Sequence, residues 1–472
     1  MSQARSSRLL WRLALRSKAR NELVISDADR RHAMALASSG RLKALRTYVR
    51  RIAVGAERSD AGDLDFLGTL LTHCGDPVRA QTCFARAVRL RPTEIAIRFN
   101  LATVQRMTGD LEGAEANLDR IIRVDPHAAG AHLLRSDMRR RTPDANHVAE
   151  LEDALRRRRN GGLDTALLCF ALAKEFDDLG DYDRAFQYWR CGNDGHRATR
   201  RYDVNEDVQM LDTIRMYYAR PLPSSAASYG PSDSPIFIMG LPRSGTTLVD
   251  RIMSASPGMR SAGELRAMSI AAFDWMGGKR DHLALHRRAS ACRDGSELAP
   301  VGRAYLDEAM DNAARRCRFT DKMPLNFMYI PLILASLPQA NVILLQRDPV
   351  DTCFALYRCF LTSPYHYASS LTDLASYYRA WSRLMDHWVD IYGPRITLVR
   401  YEDLVRDSEA TIRDLRSACR LDFRGGCDTP SPGARSFATP SAVQVRQPIH
   451  SSSVGKWRLY REHIGPLLKD LA

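Results

Sequence analysis

No C-x-x-C pair occurs among the ten cysteines of this 472-residue chain (Cys74, Cys83, Cys169, Cys191, Cys292, Cys317, Cys353, Cys359, Cys419 and Cys427), so neither a thiolate zinc cage nor a disulfide framework is indicated. The thiols are read as reduced and mostly structural. No apolar run approaches the roughly 20 residues that cross a bilayer, and the N-terminus lacks the about 7–15-residue apolar core of a secretory leader; the expected location is cytoplasmic. What is present is 45% hydrophobic and 26% charged sequence, the balance of an ordinary folded protein, at a length too great for one core. The net charge of +14 divides into +5 from residues 1–24, +3 from 25–231 and +6 from 232–472, so it is not one basic face for nucleic acid. In residues 1–24, Arg5, Arg8, Arg12, Arg16, Lys18 and Arg20 alternate with Leu9, Leu10, Trp11, Leu13 and Leu15. That pattern suits either a basic amphipathic helix on a membrane or partner surface, or a solvated leader.

The first half of the chain repeats itself. Gly75-Asp76 recurs at Gly109-Asp110, 34 residues later, and Ala80 and Pro92 recur at Ala114 and Pro126. Within one unit the order Leu67, Gly68, Leu71, Gly75, Ala80, Phe84, Ala87, Pro92 resembles the tetratricopeptide pattern of two antiparallel helices. Small residues at 68 and 80 allow close approach, Gly75 ends one helix and Pro92 stops the next. A further unit runs through Leu172, Ala173, Phe176, Gly180-Asp181, Ala185 and Trp189. Residues 25–200 are therefore expected to form a tetratricopeptide α-solenoid whose groove holds a peptide, a protein partner or a second protomer. Residues 201–234, ending in a Pro/Ser/Gly-rich stretch, form a connecting helix and linker to a second domain at 235–472.

That domain opens with a strand-length apolar run, Pro235-Ile-Phe-Ile-Met239, then Gly240-Leu-Pro-Arg-Ser-Gly-Thr-Thr247, then the helical pattern Leu248, Ile252, Met253. Strand, glycine loop and helix together aim backbone N–H groups at an anion. Against the nucleotide-binding motif G-x-x-x-x-G-K-[ST], Thr246 takes the lysine position and the cation is Arg243, inside the loop. An enzyme cleaving a nucleoside triphosphate with Mg²⁺ needs that lysine. The substitution argues against a kinase or ATPase and for a phosphate cradle that works without metal. Asn341-Val-Ile-Leu-Leu345 reads as a buried strand, and Arg347, just beyond its end, stands where parallel sheets bind ligands and can grip a phosphate bidentately.

Pro242-Arg-Ser-Gly-Thr-Thr-Leu248 resembles the 5′-phosphosulfate loop of sulfotransferases that use 3′-phosphoadenosine-5′-phosphosulfate (PAPS). The resemblance continues through Ala262-Gly-Glu264, Thr320-Asp-Lys-Met-Pro324, Arg347-Asp-Pro-Val-Asp351, Tyr401-Glu-Asp-Leu404 and Val454-Gly-Lys-Trp457, and the pattern is similar to that of the tyrosylprotein sulfotransferases. It implies a P-loop-like three-layer α/β domain after the solenoid. It also implies that Arg243, Ser244, Gly245, Thr246, Thr247 and Leu248 hold the phosphosulfate, Lys322 serves the leaving phosphate, Arg347 holds the 3′-phosphate, Lys456 neutralises phosphate, and Glu264 takes the acceptor proton. Lysine and glutamate suit those tasks, because an in-line sulfuryl transfer builds charge on the departing phosphate and frees a proton from the acceptor.

Two departures stand out. Relatives commonly have serine where this chain has Ala355, a second 3′-phosphate contact, and His-Pro where it has Ser256-Pro257. His366, His387 and His450 are alternative bases without a supporting motif. Asp348 or Asp351 should cap a helix, and Trp457 should pack in the core. The expected activity is sulfuryl transfer from PAPS to a hydroxyl, with a protein or peptide tyrosine favoured over a metabolite or glycan. A weakly catalytic scaffold that retains a nucleotide pocket is the alternative.

Overall fold

The recurring Gly-Asp pairs prove to be helix punctuation. A computed structural model describes residues 25–53, 59–158, 162–227, 230, 234–310, 317–421 and 449–472; the basic segment 1–24, parts of the 201–234 connection and residues 446–448 lie outside the described residues. At Gly75, Gly109 and Gly180 the backbone is left-handed (φ 76°, 97° and 82°). The following aspartate N–H bonds back into the ending helix: Asp76 N to Leu71 O at 2.9 Å, Asp110 N to Gln105 O at 2.9 Å, Asp181 N to Phe176 O at 3.0 Å. Each aspartate carboxylate then accepts from the next helix, at the N–H of Arg79, Gly113 and Arg184. One dipeptide closes a helix and opens another, which is why it recurs with the hairpin.

The chain forms two compact units that part between Ile121 and Ile122, inside the helical region and ahead of the 201–234 connection. The first carries α1 (Asp27–Ser39), α2 (Leu42–Ile52), α3 (Ala61–His73), α4 (Pro77–Leu90), α5 (Ile95–Thr108) and most of α6 (Leu111–Val124). Helices α3 and α4 meet closely because residue 68 has no side chain: a Cβ there would stand 2.8 Å from the Phe84 ring. Leu67, Leu71, Ala80 and Phe84 share one buried cluster.

The second unit continues with α7 (Ala129–Ser136), α8 (Val148–Arg156), α9 (Leu163–Leu179), α10 (Tyr182–Ala198) and α11 (Val204–Met216). Then come β1 (Ile236–Met239), α12 (Thr246–Ser254), β2 (Met259–Ser261), α13 (Ala267–Trp275), α14 (His282–Ser290), α15 (Ala299–Ala309), β3 (Arg318–Lys322) and α16 (Ile330–Ser336). The chain ends with β4 (Asn341–Gln346), α17 (Pro349–Tyr357), α18 (Leu371–Tyr392), β5 (Ile396–Arg400), α19 (Tyr401–Arg406), α20 (Ser408–Ala418) and α21 (Gly465–Leu471).

Among the described residues the strands form one parallel sheet, in the order β2-β3-β1-β4-β5. Every residue of β1 is 0% exposed, as a strand covered on both faces requires. Ile236, Ile238, Ile343 and Leu345 face α12 through Val249, Ile252 and Met253. The alternate residue Phe237 meets Tyr305 of α15, ring centroids 5.1 Å apart. Register pairs Ile238 with Lys322 and Phe237 with Asp321, so these two neighbours on β3 point to opposite faces.

Eight described cysteines are free thiols, whereas Cys317 is disulfide-bonded, which departs from the expectation of uniformly reduced thiols. Among the described residues no helix is long and apolar enough to cross a membrane.

Candidate functional site

All five strands send their carboxyl ends to one edge, and the sequence motifs sit there: the glycine loop after β1, Glu264 after β2, Lys322 at the end of β3, Arg347 after β4 and Tyr401 after β5. In an open parallel sheet this edge is the ligand crevice where neighbouring strands connect in opposite directions, as β1 does toward β2 and β4 toward β5.

The loop from Gly240 to Gly245 is shaped by contacts that forbid side chains. A Cβ on Gly240 (φ 150°) would lie 2.7 Å from the Leu345 carbonyl oxygen, and one on Gly245 (φ 103°) would lie 2.6 Å from the Tyr401 ring. Arg243 is left-handed at φ 70°, a conformation that costs a residue with a Cβ and that concentrates at ligand-binding loops. Its carbonyl accepts a 2.9 Å bond from Arg347 Nη1, which locks the loop to the end of β4. Ser244 is only 2% exposed and its Oγ has no hydrogen-bond partner, and the same holds for Arg347 Nε. Thr246 and Thr247 are buried at the N-terminus of α12. A buried hydroxyl and a buried guanidinium N–H left open beside a helix N-terminus fit an oxyanion ligand such as a phosphate or phosphosulfate.

Glu264 and Lys322 are brought together by backbone pairing beyond the strand ends. Ala262 N bonds Thr320 O and Lys322 N bonds Gly263 O, both at 2.9 Å, so 262–264 runs alongside β3. Lys322 Nζ donates to Glu264 Oε1; the lysine side chain is 3% exposed and the glutamate 39%. A buried ammonium reaching out to a half-exposed carboxylate places charge at the cleft mouth rather than within the core. The charge of this carboxylate reaches Tyr365: burial first, and then the Glu264 charge, raises its phenol.

Two aspartates that the sequence reading passes over hold this pair. Asp250, on α12, accepts from Thr320 Oγ1 and from Ser261 Oγ (2.8 Å), tying the loop helix to β3 and β2. Asp321, on the opposite face, accepts from Tyr305 OH (3.1 Å), Asn326 Nδ2 (3.3 Å) and Leu265 N (3.4 Å), so it fixes the residue after Glu264 and the residue before Lys322 together. The only signal for either was an acidic residue inside an apolar segment, which spacing alone does not distinguish from a surface position.

Burial lifts the Asp321 carboxyl to about 7. Its unfolded value is about 3.9, so between about pH 4 and pH 7 the folded chain retains a proton that the unfolded chain has lost. The stability this contributes is complete below about pH 4 and is lost as pH rises through about 7. Asp321→Asn is therefore expected to flatten the fall of melting temperature across that window; an unchanged slope in thermal melts at several pH values would show the site to be silent.

Arg347 is buried and stacked over Tyr401, its Cζ 4.8 Å from the ring centroid. Besides the Arg243 carbonyl, it donates from Nη2 to Ser453 O at 2.5 Å, bringing the tail segment to the loop. Asp348 caps α17 as expected, accepting from Asp351 N at 2.8 Å. Asp351 instead turns its carboxylate to the tail, accepting from Gly455 N at 2.6 Å and Trp457 N at 3.4 Å. The expected serine position is Ala355; one turn earlier, Thr352 is buried with its hydroxyl unpartnered.

Lys456, expected at a phosphate, is committed elsewhere: its Nζ donates to Asp177 Oδ2 of α9 at 2.6 Å, and Arg358 stands 3.5 Å from the same oxygen. Burial alone would raise Asp177, yet the charges of Arg358 and Lys456 outweigh it and hold the carboxyl below its usual range. Trp457 is half-buried; the core position is taken by Tyr460, which is 0% exposed and packs beside Trp189 and Phe354. The alternative bases have other partners or positions. His387 Nε2 donates to Tyr218 O (2.7 Å), His450 meets Ser452 Oγ (2.8 Å), and His366 packs beside Tyr202 (5.7 Å).

Residues 235–425 match the Sulfotransferase family. An uncharacterized protein of Aquifex aeolicus (strain VF5) is 27% identical over 390 residues, 80% of this chain and 50% of that protein, so the chain spans about half the length of this relative. Among solved structures, the sulfotransferase domain of the Synechococcus PCC 7002 olefin synthase is 21% identical over 50% of this chain and 90% of that one, with a TM-score of 0.34. A sulfotransferase of Mycobacterium tuberculosis H37Rv is 14% identical over 80% of this chain and 98% of that one, with a TM-score of 0.29. A helical N-terminal region thus precedes a parallel-sheet domain, and it is within this domain that residues 235–425 match the Sulfotransferase family.

Proposed function

We propose that this chain transfers the sulfuryl group of PAPS to a hydroxyl acceptor, and that the acceptor class is a phenol presented by a peptide or protein. The observation that carries the reading is the meeting, at one sheet edge, of a strained glycine loop with open buried donors, a buried lysine and a half-exposed glutamate. The loop N–H groups, Arg243, Ser244, Thr246 and Thr247 would hold the 5′-phosphosulfate, and Arg347 the 3′-phosphate. Lys456 is left out of this set because Asp177 already balances its charge. The acceptor oxygen attacks sulfur, its proton passes to Glu264, and the bond from sulfur to the bridging phosphate oxygen breaks. Lys322 meets the charge gathering on that oxygen, where a fixed cation is most effective.

For the acceptor, Tyr365 supports a phenol: a tyrosine side chain of the chain itself sits close enough to Glu264 to feel its charge. We further propose that the helical hairpins of the N-terminal region are tetratricopeptide-type units offering a groove to the acceptor chain.

Calorimetry with 3′-phosphoadenosine-5′-phosphate tests the donor assignment. Wild type is expected to bind it without added Mg²⁺, and Arg347→Ala to bind it weaker by on the order of 10²-fold, the usual cost of removing one partner of a buried charged contact. Preference for ATP with Mg²⁺, or equal binding by the variant in a chain that keeps its wild-type circular dichroism, would overturn it.

A further inference from the structure

The α9–α10 hairpin carries chemistry that sulfuryl transfer does not use. Cys169 on α9 is 0% exposed, Cys191 on α10 is exposed, and their sulfurs are 3.4 Å apart, with the Cys169 thiol donating to the Cys191 sulfur. The helices come this close because the next residue of α10 is glycine: a Cβ on Gly192 would stand 2.8 Å from the Phe170 ring and 3.2 Å from the Ala166 carbonyl. A disulfide needs its sulfurs at about 2.05 Å. From contact distance, small side-chain rotations supply that approach without parting the helices.

The two sulfurs are also unlike. The hydrogen bond from Cys169, the leading effect, lowers the Cys191 thiol and so favours its nucleophilic thiolate form. By contrast, Cys353 is wholly enclosed and burial pushes its thiol up. An accessible thiolate with a second thiol in contact is the arrangement that turns oxidation into a reversible bridge rather than damage.

We propose that Cys169 and Cys191 form a hydroperoxide-responsive dithiol. The Cys191 thiolate attacks one peroxide oxygen; the O–O bond breaks, leaving a sulfenic acid on Cys191 and releasing the other oxygen as an alcohol or water once protonated. The Cys169 sulfur then attacks the Cys191 sulfur, the S–O bond breaks, and the departing oxygen leaves as water with the Cys169 proton. The two thiols lose two electrons and the peroxide gains them. The bridge would staple α9, which carries Asp177, to α10, whose Asn193 holds the Tyr357 carbonyl at 3.0 Å.

The test is peptide mapping of the full chain by mass spectrometry, without reduction, after graded hydrogen peroxide. The expected result is a Cys169–Cys191 linked pair lighter by two hydrogens, reversed by dithiothreitol, while Cys353 stays unmodified. In Cys169→Ser, dimedone should capture a sulfenic acid on Cys191; in Cys191→Ser, neither link nor adduct should form at this site. Oxidation of wild-type Cys191 directly to sulfinic or sulfonic acid, with no link to Cys169, overturns the proposal. So does a wild-type chain that keeps both thiols under peroxide that oxidises its exposed methionines, a result that needs no variant to fold.

Discussion

Glu264→Gln is expected to lower kcat for sulfuryl transfer by about 10²–10⁴-fold, the span that positioned proton transfer contributes. Glutamine keeps the shape of the side chain and can still accept from Lys322 through its amide oxygen, so the cleft should hold its form. What disappears is the site for the acceptor proton. The donor cradle belongs to β1, α12 and β4, whereas Glu264 follows β2, so affinity for 3′-phosphoadenosine-5′-phosphate should stay near that of wild type. A second readout separates a base from a structural carboxylate. Across phenols of rising acidity the loss should shrink, because a more acidic hydroxyl depends less on a base. Full activity in the variant, or a loss equal for all acceptors, would remove Glu264 from the role assigned to it.

Lys322→Met should cost on the order of 10²–10³-fold in kcat, as removal of a preorganised partner for developing charge usually does. Methionine is chosen because the lysine side chain is only 3% exposed, and an unbranched apolar replacement fills that buried space without burying a new polar group. Glu264, 39% exposed, can turn to water when its partner is gone. The loss should appear in kcat more than in KM for the donor. Since the two side chains touch, the double variant should lose less than the product of the single losses, a coupling that a four-way comparison measures. A kcat within about threefold of wild type would end the assignment.

How much of this was legible beforehand depends on how local each signal is. The glycine loop, its strand and its helix are consecutive in sequence, and the steric reasons for Gly240 and Gly245 concern a turn whose residue types announce it. The Gly-Asp pairs were legible for the same reason: stop and start signals sit side by side. Arg347 was placed because an apolar strand ended just before it. Asp250, Asp321 and Asp177 were not legible, since each acts through residues 70, 56 and 279 positions away, at Thr320, Leu265 and Lys456. Lys456 shows the converse. Its motif suggested a phosphate, but a carboxylate from a distant helix had already satisfied the charge, and nothing within Val454-Gly-Lys-Trp457 could reveal that. Tyr460 repeats the lesson on a smaller scale: a core residue was expected at Trp457, and the position that fills that task lies three residues further on, at Tyr460.

The Asp177 contact also bears on how such a chain could be assembled or divided in evolution. By composition the natural place to join or sever two modules is the Pro/Ser/Gly-rich stretch before β1. A recombination there would separate Trp189 and Phe186 from Phe354, Tyr357 and Tyr460, and would leave Arg358 and Lys456 side by side without their counter-charge. The α9–α10 hairpin therefore behaves as inherited property of the sheet, and shuffling that respects the physics would cut upstream of Leu163, not at the visible linker.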